Sequence, residues 1–134
     1  MNVEVVASVA AILFAALAAF QVALALGAPA GAYVFGGRVT TDDGRLRGAY
    51  RIAAAVAAVV LVVFGFVILA RAGVVETSLN ERFVTIASWA IVAYMAINTA
   101  MNLTASTKVE RYLFGSISGF LVVLCSIVAA SGPS

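Results

Sequence analysis

The sequence contains no histidine and a single cysteine, Cys125. These two shortages together exclude an intramolecular disulfide, a zinc site built from His and Cys, and a ligand pair for a haem. Charge is scarce too. Charged residues make up 10% of the chain, where a soluble domain carries about a quarter. General acid–base work needs a poised titratable group. The spans hold no acid pair, and Ser88, Ser116 and Ser118 have no base beside them, so no enzyme, cofactor or metal site is expected. Cys125 reads as a small buried apolar residue. Nothing points to nucleic acid as a partner.

What the chain has in abundance is apolar sequence: 64% of residues are hydrophobic and the mean hydropathy is +1.13. Four uncharged runs, Val5 to Leu26, Ile52 to Ala70, Phe83 to Leu103 and Tyr112 to Ala130, are 19 to 22 residues long. As helices, each is long enough to cross a hydrocarbon core about 30 Å thick. All fourteen charged side chains lie outside the runs, as they should where a charge at the bilayer centre costs several kcal/mol. The expected fold is all-α: a single membrane domain over residues 1–134, a four-transmembrane-helix bundle of up-down topology with both termini on the outer side. The first run is longer than a signal-peptide core, and Asn2 and Glu4 stand where basic residues would, so it reads as a retained helix.

Arginine placement orients the bundle. Arg38, Arg45, Arg47, Arg51, Lys108 and Arg111 fall in the loops before the second and fourth spans, against only Arg71 and Arg82 on the other side. Six cations against two put loops 27–51 and 104–111 in the cytoplasm. Seven arginines among eight cations, with much alanine and valine, hint at a GC-rich bacterial gene and hence a bacterial inner membrane. The first loop, about 25 residues, is too short for a core of its own. Within it, Thr41-Asp42-Asp43-Gly44 reads as a turn that starts the second helix in Asx fashion.

Intramembrane polarity gathers at one depth. Gln21 and Asn98 each lie five residues from the inner end of their spans, which puts both about 7–8 Å below it. At about 100° per residue, Tyr94 and Asn102 fall within about 40° of Asn98, a stripe expected to face the interior. Ser116 and Ser118 stand at comparable depth on the fourth span. Two roles are open: glue, with Gln21 and Asn98 bonding across helices, or a cytoplasm-facing pocket for a small polar or amphipathic molecule. Arg45, Arg47, Arg51, Lys108 and Arg111 either contact anionic lipid headgroups or merely set orientation. Glu110 beside Arg111 reads as a surface pair. Small residues at four-residue spacing, Ala7, Ala11, Ala15, Ala19, Ala23 and Gly27, and the pair Gly115 and Gly119 allow close helix approach, within the chain or to another copy.

The stretch Leu24-Ala25-Leu26-Gly27-Ala28-Pro29-Ala30-Gly31, with Phe35-Gly36-Gly37-Arg38 after it, resembles a pattern in uncharacterised small four-helix bacterial membrane proteins of actinobacterial type. Asn98, Asn102 and Lys108-Val109-Glu110-Arg111 are similar to their third-loop region, while Ala30 stands where they have an aromatic. The resemblance implies the topology and a bacterial origin, and no activity. Small multidrug transporters share the size and span number, but their mechanism needs a carboxylate buried in the first helix. Here the nearest acid is Glu4, at its outer end, so proton-coupled export is not expected. The leading expectation is a structural or accessory subunit that packs with itself or a larger membrane complex. The alternative is a lipid- or small-solute-binding or transport module that uses the polar pocket.

Overall fold

The computed structural model describes residues 2–133, which form four long helices and no strand. These are α1 (Val3–Ala25), α2 (Gly48–Arg71), α3 (Glu81–Leu103) and α4 (Gly115–Ser131), the last preceded by a wide π-helical turn, Glu110–Phe114. All four, α4 taken together with its π turn as Glu110–Ser131, are long and apolar enough to cross a membrane. Asparagines start two of them. The Asn2 side chain accepts from the backbone N–H groups of Glu4 and Val5, and Asn80 does the same for Arg82 and Phe83, satisfying donors that a helix start leaves free. The second helix departs from expectation. It begins at Gly48 with no side-chain cap. Asp43 instead accepts a hydrogen bond from the Thr41 hydroxyl and pairs with Arg45. Those contacts, the Thr41 bond foremost, hold its carboxyl below the usual carboxylate range.

The helices run up and down, with α1 packed along α2 and α3 along α4. α4 also packs on α1, and α2 meets α3 over a shorter stretch, which leaves α1 and α3 diagonally opposed. Phe14, Ile68, Met95, Leu121, Cys125 and Val128 fill the half nearer the termini. A smaller cluster occupies the opposite end, where Val34 and Leu46 of the first loop pack on Leu24 and Ala54. That loop therefore folds onto the helix ends and shares their core.

Most of the small-residue seams are used within the chain. Gly65 faces Ala11 and Phe14, Gly115 faces Leu103, and Gly119 faces Thr99. The alanine ladder of α1 divides along its length. Ala7 is fully buried and Ala11 half-buried, while Ala15, Ala19 and Ala23 are exposed. The buried face instead runs through Val6, Ala10, Phe14 and Ala18, at the same four-residue spacing but one position, about 100° of helix, behind the alanine ladder.

Each end of α2 carries an arginine that caps a neighbouring helix. At one end Arg51 Nε donates to the Ala25 carbonyl at 2.9 Å. At the other, Arg71 Nε and Nη2 both donate to the Ala129 carbonyl, at 3.2 and 2.8 Å. Both carbonyls belong to helix C-termini, where unpaired acceptors and the negative end of the helix dipole favour a cation. Replacing Arg71 with methionine is expected to cost about 1 kcal/mol. The check is the thermal midpoint in mild detergent against Arg82→Met, which removes an exposed arginine and should melt like the parent; equal midpoints for the two would refute the clip.

Candidate functional site

A cavity of about 420 Å³ opens between the helices in the half that bears the two cationic loops. Leu17, Phe20 and Gln21 of α1 face Met95, Asn98 and Asn102 of α3 across it, while Ala57, Val60 and Leu61 come from α2 and Ser118 from α4. Its deepest lining residue on α3, Tyr94, lies nine residues from the helix end at Leu103, or about 14 Å in. Tyr94 is half exposed and packs edge-on against Phe64, whose ring in turn meets Phe14. Neither phenylalanine lines the cavity, so this row of rings marks the border with the dry half.

Three of the polar residues close a network. Asn98 Oδ1 accepts from Asn102 Nδ2 at 2.9 Å and from the Ser118 hydroxyl at 2.8 Å, and Asn102 Nδ2 approaches Ser118 Oγ at 3.4 Å. The network ties α3 to α4. Gln21 stands apart from it. Its Oε1 is buried and has no hydrogen-bond partner, so the expected Gln21–Asn98 bond is not made; the Asn98 carbonyl is already occupied by its neighbours. Ser116 is not at the cavity. Two residues from Ser118 means about 200° around the helix, and its exposed hydroxyl donates to its own helix at the Tyr112 carbonyl. The structure thus brings Gln21, Tyr94, Asn98, Asn102 and Ser118 to one cavity and leaves Ser116 outside.

The first loop covers one end of the cavity. Phe35, Gly36 and Gly37 all have positive φ, at 49°, 73° and 74°, which turns the chain sharply back over the helix ends. Val34, Phe35 and Gly36 line the cavity. Glu110 latches this cover. It is 8% exposed, and its Oε1 accepts from Gly36 N at 3.0 Å and from the Thr107 hydroxyl at 2.8 Å. The Ser106 hydroxyl in turn donates to the Gly36 carbonyl. Glu110 therefore does not pair with Arg111 on the surface. The π turn that it opens aims it inward, and such widened turns recur at functional sites. Glu110 lines the cavity beside Phe114, whose ring packs at 5.3 Å on Phe20.

No family model, curated protein or solved structure matches this chain. Its chemistry has to be read from the cavity itself.

The five cations expected at the lipid surface divide in the same way. Arg45 is paired with Asp43 at 3.1 Å, and Arg51 is committed to the Ala25 carbonyl. Arg111 lies over the Tyr112 ring, 5.6 Å from its centroid, with its Nε buried. Arg47 and Lys108 are exposed. Glu110 is the site residue that the sequence did not mark. Its hydrogen-bond partner Gly36 in the first loop is 74 residues away, and the one local signal, an acid starting a span, had an equally good surface reading.

Proposed function

We propose that the protein is a bacterial inner-membrane component that binds a small amphipathic molecule in the cavity between α1 and α3. The cavity opens toward the cytoplasm behind the Phe35–Gly37 cover, in keeping with the cationic loops on that side. The observation that carries this reading is a volume of about 420 Å³, largely apolar in its lining but with a few convergent polar groups. Ligand sites have this size and character, whereas polar residues serving as packing glue need no space beside them.

The accessory-subunit reading retains one support. Most small-residue seams are consumed inside the bundle, but Ala15, Ala19 and Ala23 leave a bare stripe on α1. One experiment weighs the two. The protein is extracted in native lipid discs and its retained small molecules and proteins are identified, alongside Ala57→Trp, which places a ring in the cavity. The binding reading expects a small molecule that Ala57→Trp loses while its helical circular dichroism is kept. Identical small-molecule content in both proteins would sink it, and a stoichiometric membrane protein in both would favour the accessory role.

A further inference from the structure

The cavity's lining holds both donors and acceptors, but only one of its residues carries charge. Glu110 is the only buried charged side chain among the described residues, and it is negative. Its two side-chain hydrogen bonds both go to Oε1, which leaves Oε2 for another donor. The Asn98 carbonyl is already satisfied by Asn102 and Ser118. None of the eight lysines and arginines lines the cavity. An anion would meet a carboxylate with no compensating cation, and a neutral ligand would leave the carboxylate desolvated without a counter-charge.

Aromatic surface adds to the same preference. The rings of Phe20, Phe35, Tyr94 and Phe114 all contribute to the wall. An aromatic face attracts a cation through its quadrupole, by about 0.5–2 kcal/mol according to how dry the contact is. A volume of about 420 Å³ is far larger than a bare metal ion needs, since one water occupies about 30 Å³. A strongly hydrated ion also gains little from apolar walls.

We propose that the cavity takes an organic monocation, a substituted ammonium on a compact apolar body, with Glu110 as its counter-ion and the Phe20–Phe114 pair against its apolar part. This rests on the cavity being a binding site and names the ligand class that the site selects. The ammonium meets Oε2 while Oε1 keeps the Gly36 latch, so one carboxylate serves both ligand and cover.

The test uses the full chain in lipid discs and three probes of matched shape: phenyltrimethylammonium, its neutral isostere tert-butylbenzene, and benzenesulfonate. Binding is read by calorimetry against empty discs, for the parent and for Glu110→Gln. Glutamine keeps an acceptor for Gly36 N and Thr107 but removes the charge, so the cover should stay latched. The cation should bind at least tenfold tighter than its isostere, and Glu110→Gln should erase that margin while leaving the isostere's affinity within about twofold. Equal binding of cation and isostere to the parent, or a preference for the sulfonate, overturns the cation assignment and leaves the cavity reading standing. Binding of no probe above the empty discs, together with unchanged small-molecule content in Ala57→Trp, overturns both. If Glu110→Gln fails to fold, the parent decides alone: a cation that does not bind at least tenfold tighter than its isostere overturns the assignment.

Discussion

Gly37→Ala is expected to lower the thermal midpoint of the detergent-solubilised protein by about 10 °C. Two costs combine. At φ 74° an L side chain sits in the left-handed region, which costs about 1–2 kcal/mol. A Cβ there would also stand 2.8 Å from the Ala32 carbonyl oxygen, and a backbone atom inside a tight double turn has little room to retreat. Relief requires the 31–37 segment to open. That pulls Gly36 from Glu110 and Ser106, and removes Val34 and Leu46 from the core they share with Leu24 and Ala54. The variant should therefore also be cut faster by trypsin at Arg38, Arg45 and Arg47. Gly48→Ala is the matched control with the opposite sign. Its Cβ would meet nothing within 4 Å, it opens α2, and alanine there should be neutral or stabilising by up to about 1 kcal/mol. Two variants of equal stability would mean that the cover is not held in this shape.

How much of this could be read in advance depends on how far apart the deciding partners lie. The spans were legible because the bilayer sets their length and expels charge, and both rules act on consecutive residues. Expected and observed helices agree to within a few residues, with α2 starting a turn early so that Tyr50 and Arg51 sit on it. Angular phase was legible within a helix, and it put Asn98 and Asn102 on one face. Phase between helices was not. Nothing in the local sequence says whether Ser116 or Ser118 faces inward, since both suit a helix equally and only the approach of α3 decides. Gln21 shares a depth with Asn98 but sits diagonally across the bundle, and depth alone does not reveal the gap between them. Glu110 was the largest omission. Its inward turn depends on Gly36 being delivered by a left-handed loop from the other hairpin, a long-range closure that composition and periodicity do not register. The result bears on the site directly: the span sequences are free of charge, yet the cavity they enclose has a carboxylate in its wall.

The second large effect lies at the α3–α4 contact. Asn98→Leu should destabilise the protein by about 2 kcal/mol, because it removes the one acceptor shared by Asn102 and Ser118. Hydrogen bonds between membrane helices average about 0.6 kcal/mol and reach about 1.7, so two bonds set the scale. The loss should not fall evenly. Ser118 can turn its hydroxyl to its own helix, as Ser116 and Ser126 already do toward the carbonyls four residues back. Asn102 has only the 3.4 Å approach to Ser118 as an alternative, and its amide keeps most of the penalty. Two consequences separate a network from independent contacts. Ser118→Ala alone should cost less than Asn98→Leu, and adding it to Asn98→Leu should change the midpoint by less than the sum of the single effects, since the two share a bond. Full additivity, or an Asn98→Leu protein that melts at or above the parent, would rule out a stabilising network. In that case the row of amides would be there for what the cavity holds, and the same leucine should then weaken binding of the phenyltrimethylammonium probe without a loss of stability.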